Sequence, residues 1–530
     1  MQGGRRKIGS ASQRARRYTQ QVNTAAQLRE KAPAAYSIRR RLLRGSSVYG
    51  IGTLGLRALG FALLGIYSRY FSPSDYGVVS LTESVGVVVG IVSSLALENG
   101  SRRMYFQYAG DAEQLRGYLG AVLRLATASS AAALVFSYLL GPFLNARLAP
   151  GWGVSFFPYL ALPIFTAVAS HLLMCRLTIY QCQERLGAYT AFVVLQSLST
   201  TLFTFALVVW TRHGAVGLLA ARALGAGVSL LAAAVLSSEY LRFRQSRAEM
   251  RQALRETLRI SLPLVPHGLL GFGLFALDRF ILQHYRPLSE VGLYTLAYNI
   301  GLIMTLITGS LSRAWTPLFF SLLQNGEEGR GPAAAIFDEL IMLLSLIASA
   351  GILLSPFCIY LLFNSHYWPA AQVAPIVLGA YLFHSLFVLF QIAVVQSRRT
   401  ALVALVSGIA LVANVALNFA WVPRHGMVGS AYASLAAYAV QFILIAFLAH
   451  RVLPLPHRWR WPSAGIVIFG AALAWTQLVT SAPATLLFAG LLAVACALGL
   501  MRYLRMRPER ETSALGKANP KADLQNAHRP

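Results

Sequence analysis

Charged residues are scarce in this sequence of 530 residues, and acidic residues are the scarcest. Only 12% of the residues are charged and 56% are hydrophobic, and 46 lysines and arginines stand against 19 acids, a formal net charge of +27. Soluble proteins carry about 25% charged residues, so this composition excludes an ordinary soluble fold. A basic excess can indicate nucleic-acid binding, but such a surface must be solvated, whereas most of this chain is long apolar runs. We therefore predict no nucleic-acid partner.

Cysteine and recognisable catalytic motifs are also lacking. The four cysteines lie in or beside apolar runs, without the spacing of metal ligands or of a disulfide framework. The sequence contains no phosphate-binding loop, no HExxH zinc motif and no Ser/His/Asp signature. We therefore expect no metal, no cofactor and no catalytic residues, and a role other than that of an enzyme.

Long apolar runs dominate the sequence. A run of about 20 residues with few charges is long enough to cross a bilayer as a helix. Fourteen such runs occur, at roughly 47–70, 77–97, 117–141, 155–175, 187–210, 215–237, 260–282, 291–312, 337–362, 370–396, 401–421, 428–450, 462–480 and 483–501. The sequence thus predicts an all-α integral membrane protein with about 14 transmembrane helices.

Lysine and arginine are distributed unevenly between the two sides that these spans define. Tails and loops on one side hold 37 of them, and loops on the other side hold six. Loops rich in lysine and arginine remain in the cytoplasm, so we expect both termini there. The net charge of +27 then mainly records topology.

Two short echoes indicate an internal duplication. Ser74–Gly77 (SDYG) recurs as Ser289–Gly292 (SEVG) at an offset of 215, and His213–Gly217 (HGAVG) recurs as His425–Gly429 (HGMVG) at an offset of 212. Each echo occupies the equivalent end of the equivalent span, so spans 1–6 and 7–12 are predicted to be two six-helix bundles inserted in the same orientation. Parallel repeats of this kind place a substrate path at the interface between the halves.

The expected organisation has six segments. They are a basic cytoplasmic tail (1–46), an N-terminal six-helix bundle (47–240), a basic cytoplasmic linker (241–259), a C-terminal six-helix bundle (260–452), an additional helix hairpin (453–505) and a C-terminal tail (506–530).

Several motifs, in this order and spacing, resemble the polysaccharide transport family, the Wzx-type oligosaccharide flippases, of the multidrug/oligosaccharidyl-lipid/polysaccharide (MOP) exporter superfamily. They are Arg44–Ser46 with Arg69–Gly77, Ser261–Pro266 leading to Asp278–Phe280, Glu290–Tyr294 with Ala297 and Tyr298, Ala314–Pro317, and Asn414 and Asn418 ahead of His425–Gly429. The long basic N-terminus departs from the usual pattern. The last helix pair occurs only in members with 14 spans, which include lipid II flippases.

The resemblance implies a MATE-like fold in the bacterial inner membrane and transport of an undecaprenyl-diphosphate-linked saccharide between the leaflets. Polysaccharide polymerase and glycosyltransferases are the implied protein partners. A cation-coupled multidrug exporter and a membrane-embedded glycosyltransferase or polymerase remain as alternatives. The mid-span charges favour an anionic cargo over a cationic drug. The short loops leave little room for an enzyme's periplasmic domain.

Ionisable residues inside spans are costly and by default face the bundle interior. Arg57 in span one, Arg222 in span six and Arg124 in span three are the candidates for binding the diphosphate, since a guanidinium matches phosphate oxygens. A structural pair with Glu83, or snorkelling toward the interface, is the competing interpretation, and snorkelling is favoured for Arg124.

Two further groups of residues have candidate roles. Glu83 either balances an arginine or responds to a coupling cation, and Asp278 and Arg279 form an ion pair or a gate at a helix end. Pro263 and Pro266, at the start of span seven, predict a bent helix that can absorb rocking of the bundles.

Overall fold

The computed structural model describes residues 65–148, 153–242, 247–324, 326–397, 399–457 and 460–479. These residues are almost entirely helical and include no β-strand, as predicted. The helices are α1 (Pro73–Ser94), α2 (Leu97–Tyr108), α3 (Ala112–Leu148), α4 (Ala161–Cys182), α5 (Leu186–Thr204), α6 (Gly214–Arg242), α7 (Arg247–Ser261), α8 (Leu264–Tyr285), α9 (Leu288–Leu323), α10 (Glu327–Leu362), α11 (Ala370–Gln396), α12 (Thr400–Val452) and α13 (Arg460–Leu478).

Ten helical stretches among these residues are long and apolar enough to cross a membrane. The α12 stretch has 53 residues, and at 1.5 Å per residue it is more than twice as long as a bilayer core is thick. Its backbone breaks at Gly426 (φ 56°), where the prediction separates spans 11 and 12. Most of predicted span 1 and all of span 14 lie outside the described residues, so the described part of the chain accounts for fewer than the 14 predicted spans.

The start of α1 is specified locally. Ser72 and Asp75 form a capping box, and Pro73 occupies the first turn, where its missing N–H costs nothing. The helix ends at Leu95 and Ala96, which both adopt left-handed backbone angles (φ 49°). Non-glycine residues rarely adopt these angles, so α1 and α2 are separate helices joined by a sharp, strained break.

The two halves of the chain meet where α1 crosses α9, at glycines that the repeat makes equivalent. A Cβ on Gly292 would lie 1.8 Å from the carbonyl oxygen of Pro73, and a Cβ on Gly77 would lie 2.1 Å from that of Leu288. Only glycine permits this backbone approach. The offset of 215 residues found in the sequence therefore relates the two glycines that face each other where α1 crosses α9.

The second echo is also structural. Gly214 and Gly426 both have positive φ, 55° and 56°, ahead of the helices that they begin or interrupt. A Cβ on Gly217 would lie 3.0 Å from the Cβ of His213, and one on Gly429 would lie 3.1 Å from the Cβ of His425. The duplicated histidines thus pack at the same reversal of the chain in each half.

The basic linker between the halves contains an amphipathic helix, α7. Its buried face, which includes Ala253 and Thr257, packs against α2 and α3, and the Thr257 and Tyr118 hydroxyls hydrogen-bond at 3.0 Å. Arg251, Arg255 and Arg259 lie on the exposed face. The linker is therefore attached to the first half of the chain.

Pro263 and Pro266 lie at the junction between this linker helix and α8. Pro263 occupies the N-cap position of α8 and Pro266 lies in its first turn. The prolines therefore separate two helices, and α8 continues from Leu264 to Tyr285. The bend predicted within span seven is a break at its start.

The largest hydrophobic core lies in the second half, among α9, α10 and α11. Helix α13 packs mainly on α10. The segment before α13 is anchored to α10 by His457, whose Nδ1 lies 2.7 Å from Oδ1 of Asp338, with both side chains buried.

Candidate substrate cavity

A cavity of about 210 Å³ lies between the two halves. Helices α1 and α6 line it from the first half, and α8 and α9 line it from the second. Its lining residues are Tyr76, Val79, Ser80, Glu83, Ser84, Val87, Arg222, Phe272, Phe275, Arg279, Thr295 and Asn299. Glu83 lies ten residues into α1, which places it about 15 Å from the start of the helix, near mid-membrane depth.

Arg222 and Glu83 form an ion pair inside this cavity. Nη1 of Arg222 donates to Oε1 of Glu83 and joins α6 to α1. The two side chains remain 32% and 31% exposed to the cavity. The structure therefore brings together two of the predicted residues, in the pairing that the sequence left open.

Arg279 lines the cavity from α8. Its counter-ion, Asp278, lies on the side of Arg279 that faces away from the cavity. Nη1 of Arg279 is 3.8 Å from Oδ1 of Asp278 and donates to the carbonyl oxygen of Phe275 at 2.6 Å. Tyr294 donates to Oδ2 of Asp278 at 2.5 Å, and Ser434 donates to it at 3.3 Å. Asp278 is fully buried and held by these hydrogen bonds, so it does not face the cavity.

Aromatic rings hold the Arg279 guanidinium in place. Its central carbon lies 4.8 Å from the centre of the Phe275 ring and 4.5 Å from that of Tyr298, within cation–π range. The Arg279 side chain is only 3% exposed, and its Nε makes no hydrogen bond within the described part of the chain. A buried donor without a partner is costly, so this arginine is fixed in position with unused hydrogen-bonding capacity.

One end of the cavity is closed by contacts between the halves. Thr295 donates to Ser80 at 2.8 Å, and Asn299 donates to the Tyr76 hydroxyl. Beyond them lies the Gly77–Gly292 crossing. The halves therefore pack without a gap at the N-terminal ends of α1 and α9.

Tyr367, in the loop between α10 and α11, adds an outer contact at the same end. Its hydroxyl donates to the carbonyl oxygens of Ser72 (3.1 Å) and Phe71 (3.3 Å). Burial raises the pKa of this hydroxyl above its ordinary value, so it remains a donor at physiological pH. This end of the cavity is thus closed by several successive sets of contacts between the two halves.

Comparison with protein families identifies the chain. The family model described as "Polysaccharide biosynthesis protein" matches residues 42–323, more than half of the sequence. The chain belongs to the polysaccharide biosynthesis protein family. The resemblance to the polysaccharide branch of the MOP superfamily is thereby confirmed.

Individual relatives are distant. The chain is 23% identical over 291 residues to "Lsg locus putative protein 1" of Haemophilus influenzae, covering 54% of this chain and 67% of the relative. Among solved structures it is similar to the lipid II flippase MurJ in an inward closed conformation, with a TM-score of 0.66, 12% identity, and coverage of 86% of this chain and 99% of the other.

A second solved structure shares the fold. An inward-facing multidrug resistance MATE family transporter of the MOP superfamily has a TM-score of 0.57 and 15% identity, over 75% of this chain and 98% of the other. At these identities the likeness shows the fold alone. The predicted MATE-like, all-α membrane fold is confirmed, and this family member is a multi-pass membrane protein.

The structure describes only one of the other two predicted arginines. Arg57 lies outside the described residues. Arg124 is on α3 and is not among the lining residues of the cavity; its Nη2 lies 3.7 Å from the sulfur of Met250 in the linker helix α7. The sequence missed Arg279 as a lining residue, because counting along span seven placed it near a helix end.

A helical-face pattern in the sequence could have located the cavity. Tyr76, Ser80, Glu83 and Val87 follow the spacing of one helix face. Phe272, Phe275 and Arg279 follow the same spacing on α8, but this face meets α1 and α6 only because α8 crosses the first half of the chain. That crossing is a tertiary relationship, which one helix's periodicity does not contain.

The charges on the cavity wall are paired. The structure pairs each arginine of the described lining with an acid: Arg222 with Glu83, and Arg279 with Asp278. The charges that line the described cavity are thus balanced.

Proposed function

We propose that this protein translocates a polyprenyl-diphosphate-linked saccharide across the bacterial inner membrane for surface polysaccharide synthesis, as a flippase and not as an enzyme. The observation that supports this function best is the cavity between the repeated halves, with Arg222 and Arg279 on its wall. Parallel-repeat transporters bind substrate at this interface and move by rocking one half against the other.

The cavity chemistry suits a diphosphate group. An arginine guanidinium presents several donors that match phosphate oxygens. The cavity, at about 210 Å³, is of a size for a small group such as a diphosphate, whereas an oligosaccharide requires more space. The saccharide therefore needs the wider path that opens as the halves separate, while the polyprenyl tail stays in lipid.

The direction of transport follows from combining the closed end with the topology. The N-terminal ends of α1 and α9 follow loops that the lysine and arginine count assigns to the periplasm. The closed contacts would then face the periplasm, and this conformation would be the one that receives substrate from the cytoplasmic leaflet. Opening toward the periplasm requires the Ser80–Thr295 and Gly77–Gly292 contacts to separate.

A cation-coupled multidrug exporter is the second candidate, and the fold shared with MATE transporters favours it. A cationic drug needs an acidic cavity. Among the described residues of the cavity wall, Glu83 is the only carboxylate, and it is paired with Arg222, while Arg279 adds a second arginine to the lining. This composition favours an anionic cargo. A glycosyltransferase or polymerase role has no supporting observation in the described residues.

The partners expected of such a flippase are the undecaprenyl-diphosphate-linked saccharide, the glycosyltransferases that supply it and the polymerase that consumes it. The test is export of polysaccharide in a deletion strain complemented with variants. We expect Arg222→Gln to reduce surface polysaccharide at least tenfold while the lipid-linked precursor accumulates, and Arg124→Gln to complement normally. Normal export by Arg222→Gln would overturn the assignment, as would drug sensitivity in a deletion strain that exports normally.

A further inference from the structure

The two ion pairs at the cavity differ in how accessible they are. Asp278 and Arg279 are 0% and 3% exposed, and hydrogen bonds from Tyr294 and Ser434 hold the carboxylate. Glu83 and Arg222 are 31% and 32% exposed, and Glu83 makes no other hydrogen bond that the structure records. One pair is fixed in the protein, whereas the other is open to whatever occupies the cavity.

Accessibility decides which pair can exchange partners. Breaking a fully buried pair leaves an uncompensated charge and is costly, whereas a pair that remains about a third exposed can exchange one anion for another. Arg222 can therefore leave Glu83 at low cost if another anion replaces the carboxylate. Arg279 cannot leave Asp278, but its buried Nε is without a hydrogen-bond partner among the described residues.

We propose that Glu83 is an internal counter-anion, which a substrate diphosphate displaces from Arg222, and that this exchange makes the cavity select multiply charged phosphate groups over singly charged ones. The proposal rests on the proposed function. Glu83 would stay paired with Arg222 until a ligand with more negative charge than one carboxylate displaces it.

Charge balance gives the selectivity. A phosphodiester with one negative charge, as in bulk phospholipid headgroups, replaces Glu83 on Arg222 charge for charge and leaves Glu83 without a partner. A diphosphate brings a second charge, which is attracted to the neighbouring Arg279. Only a multiply charged group is attracted to the arginines more strongly than the Glu83 carboxylate is. The Glu83–Arg222 pair therefore excludes the singly charged phospholipids that surround the protein in large excess.

The experiment measures binding of two probes to the purified full-length protein in lipid nanodiscs by titration calorimetry. Inorganic pyrophosphate represents the diphosphate, and dimethyl phosphate represents a singly charged phosphodiester. Glu83→Gln should bind pyrophosphate roughly tenfold more tightly than the wild type, and dimethyl phosphate should gain at least as much. The preference for pyrophosphate should therefore not increase, and detectable dimethyl phosphate binding should appear.

Two variants serve as controls. Glu98→Gln removes a carboxylate of similar exposure from α2, where it lies 4.0 Å from His171 and outside the cavity lining, and should leave both affinities unchanged. Glu83→Asp keeps the charge and should keep dimethyl phosphate binding at the wild-type level. This conservative variant separates a charge effect from altered folding if Glu83→Gln is unstable.

The outcomes separate this proposal from the proposed function. If wild type binds pyrophosphate, Arg222→Gln abolishes that binding and Glu83→Gln leaves both affinities at wild-type levels, the counter-anion role is wrong and the diphosphate site stands. If neither the wild type nor Glu83→Gln binds pyrophosphate, the diphosphate site itself is wrong, and the counter-anion role is wrong with it.

Discussion

The hydroxyl of Thr295 donates a 2.8 Å hydrogen bond to the hydroxyl of Ser80, and these residues are 215 positions apart. The same offset separates the two echoes SDYG and SEVG in the sequence. Residues made equivalent by the duplication therefore contact each other across the boundary between the halves. If the two bundles are related by an axis, a contact between equivalent residues lies close to it.

This hydrogen bond should stabilise the closed end in a way that a double-mutant cycle can measure. Hydrogen bonds between transmembrane helices contribute about 0.6 kcal/mol on average, so the Ser80→Ala and Thr295→Val variants should show a coupling free energy of that order in detergent unfolding. Ser93, which bonds only to the Gly90 carbonyl of its own helix, should show no coupling with Thr295. Equal coupling at both serines would contradict the assignment.

The Gly77–Gly292 crossing should not tolerate a side chain. A Cβ at position 292 would lie 1.8 Å from the Pro73 carbonyl oxygen, so Gly292→Ala must push α1 and α9 apart. We expect normal membrane insertion, an increased spin-label distance across the closed end and at least tenfold slower export. Gly271→Ala on α8 is the control, because no other helix of the described chain has an atom within 4 Å of its added methyl group. Wild-type distances in Gly292→Ala would argue against closure by this contact.

Asp278 should be important for stability because it neutralises a buried arginine. Asp278→Asn leaves Arg279 with an uncompensated charge, and removal of one partner of a buried pair costs about 3–5 kcal/mol. Glu327→Gln is the matched control, since Glu327 also pairs with an arginine, Arg330 at 2.8 Å, but is 81% exposed. Its loss should cost less than about 1 kcal/mol. Unfolding in detergent that shows equal losses would disprove the structural role of Asp278.

The topology assigned from charge can be tested with single cysteines in a cysteine-free background. Gly110, between α2 and α3, and Ser365, between α10 and α11, are both exposed and fall on opposite predicted sides. A membrane-impermeant maleimide added to intact cells with a permeable outer membrane should label Ser365→Cys and not Gly110→Cys. The reverse pattern would invert the membrane orientation and, with it, the side to which the closed contacts face.

Much of the fold was accessible from the sequence, and particular residues show why. Long apolar runs predict membrane helices because the bilayer requires every backbone group to bond within its own helix. Gly77 and Gly292 were visible as an echo, because a crossing this close admits no other residue. The pairing of Arg222 with Glu83 could be listed as an alternative, since few charges exist inside the spans to balance each other.

The parts of the site that the sequence does not predict depend on how the helices cross. Arg279 reaches the cavity, and Asp278 stays behind it, because α8 is oriented by packing against α9 and α12, which no local pattern records. Ser434 and Tyr294 support Asp278 from helices far away in sequence. The balanced charge of the cavity follows from these contacts.

Transport by the purified protein tests the central claim most directly. The protein is reconstituted into liposomes that carry a labelled undecaprenyl-diphosphate oligosaccharide, and the fraction of saccharide accessible to an added glycosidase is followed with time. The wild type should expose the inner-leaflet pool, and Arg222→Gln should do so at least tenfold more slowly, with Arg124→Gln as the unaffected control. Equal rates for wild type and Arg222→Gln, or no acceleration by the wild type over protein-free liposomes, would contradict a diphosphate path through this cavity.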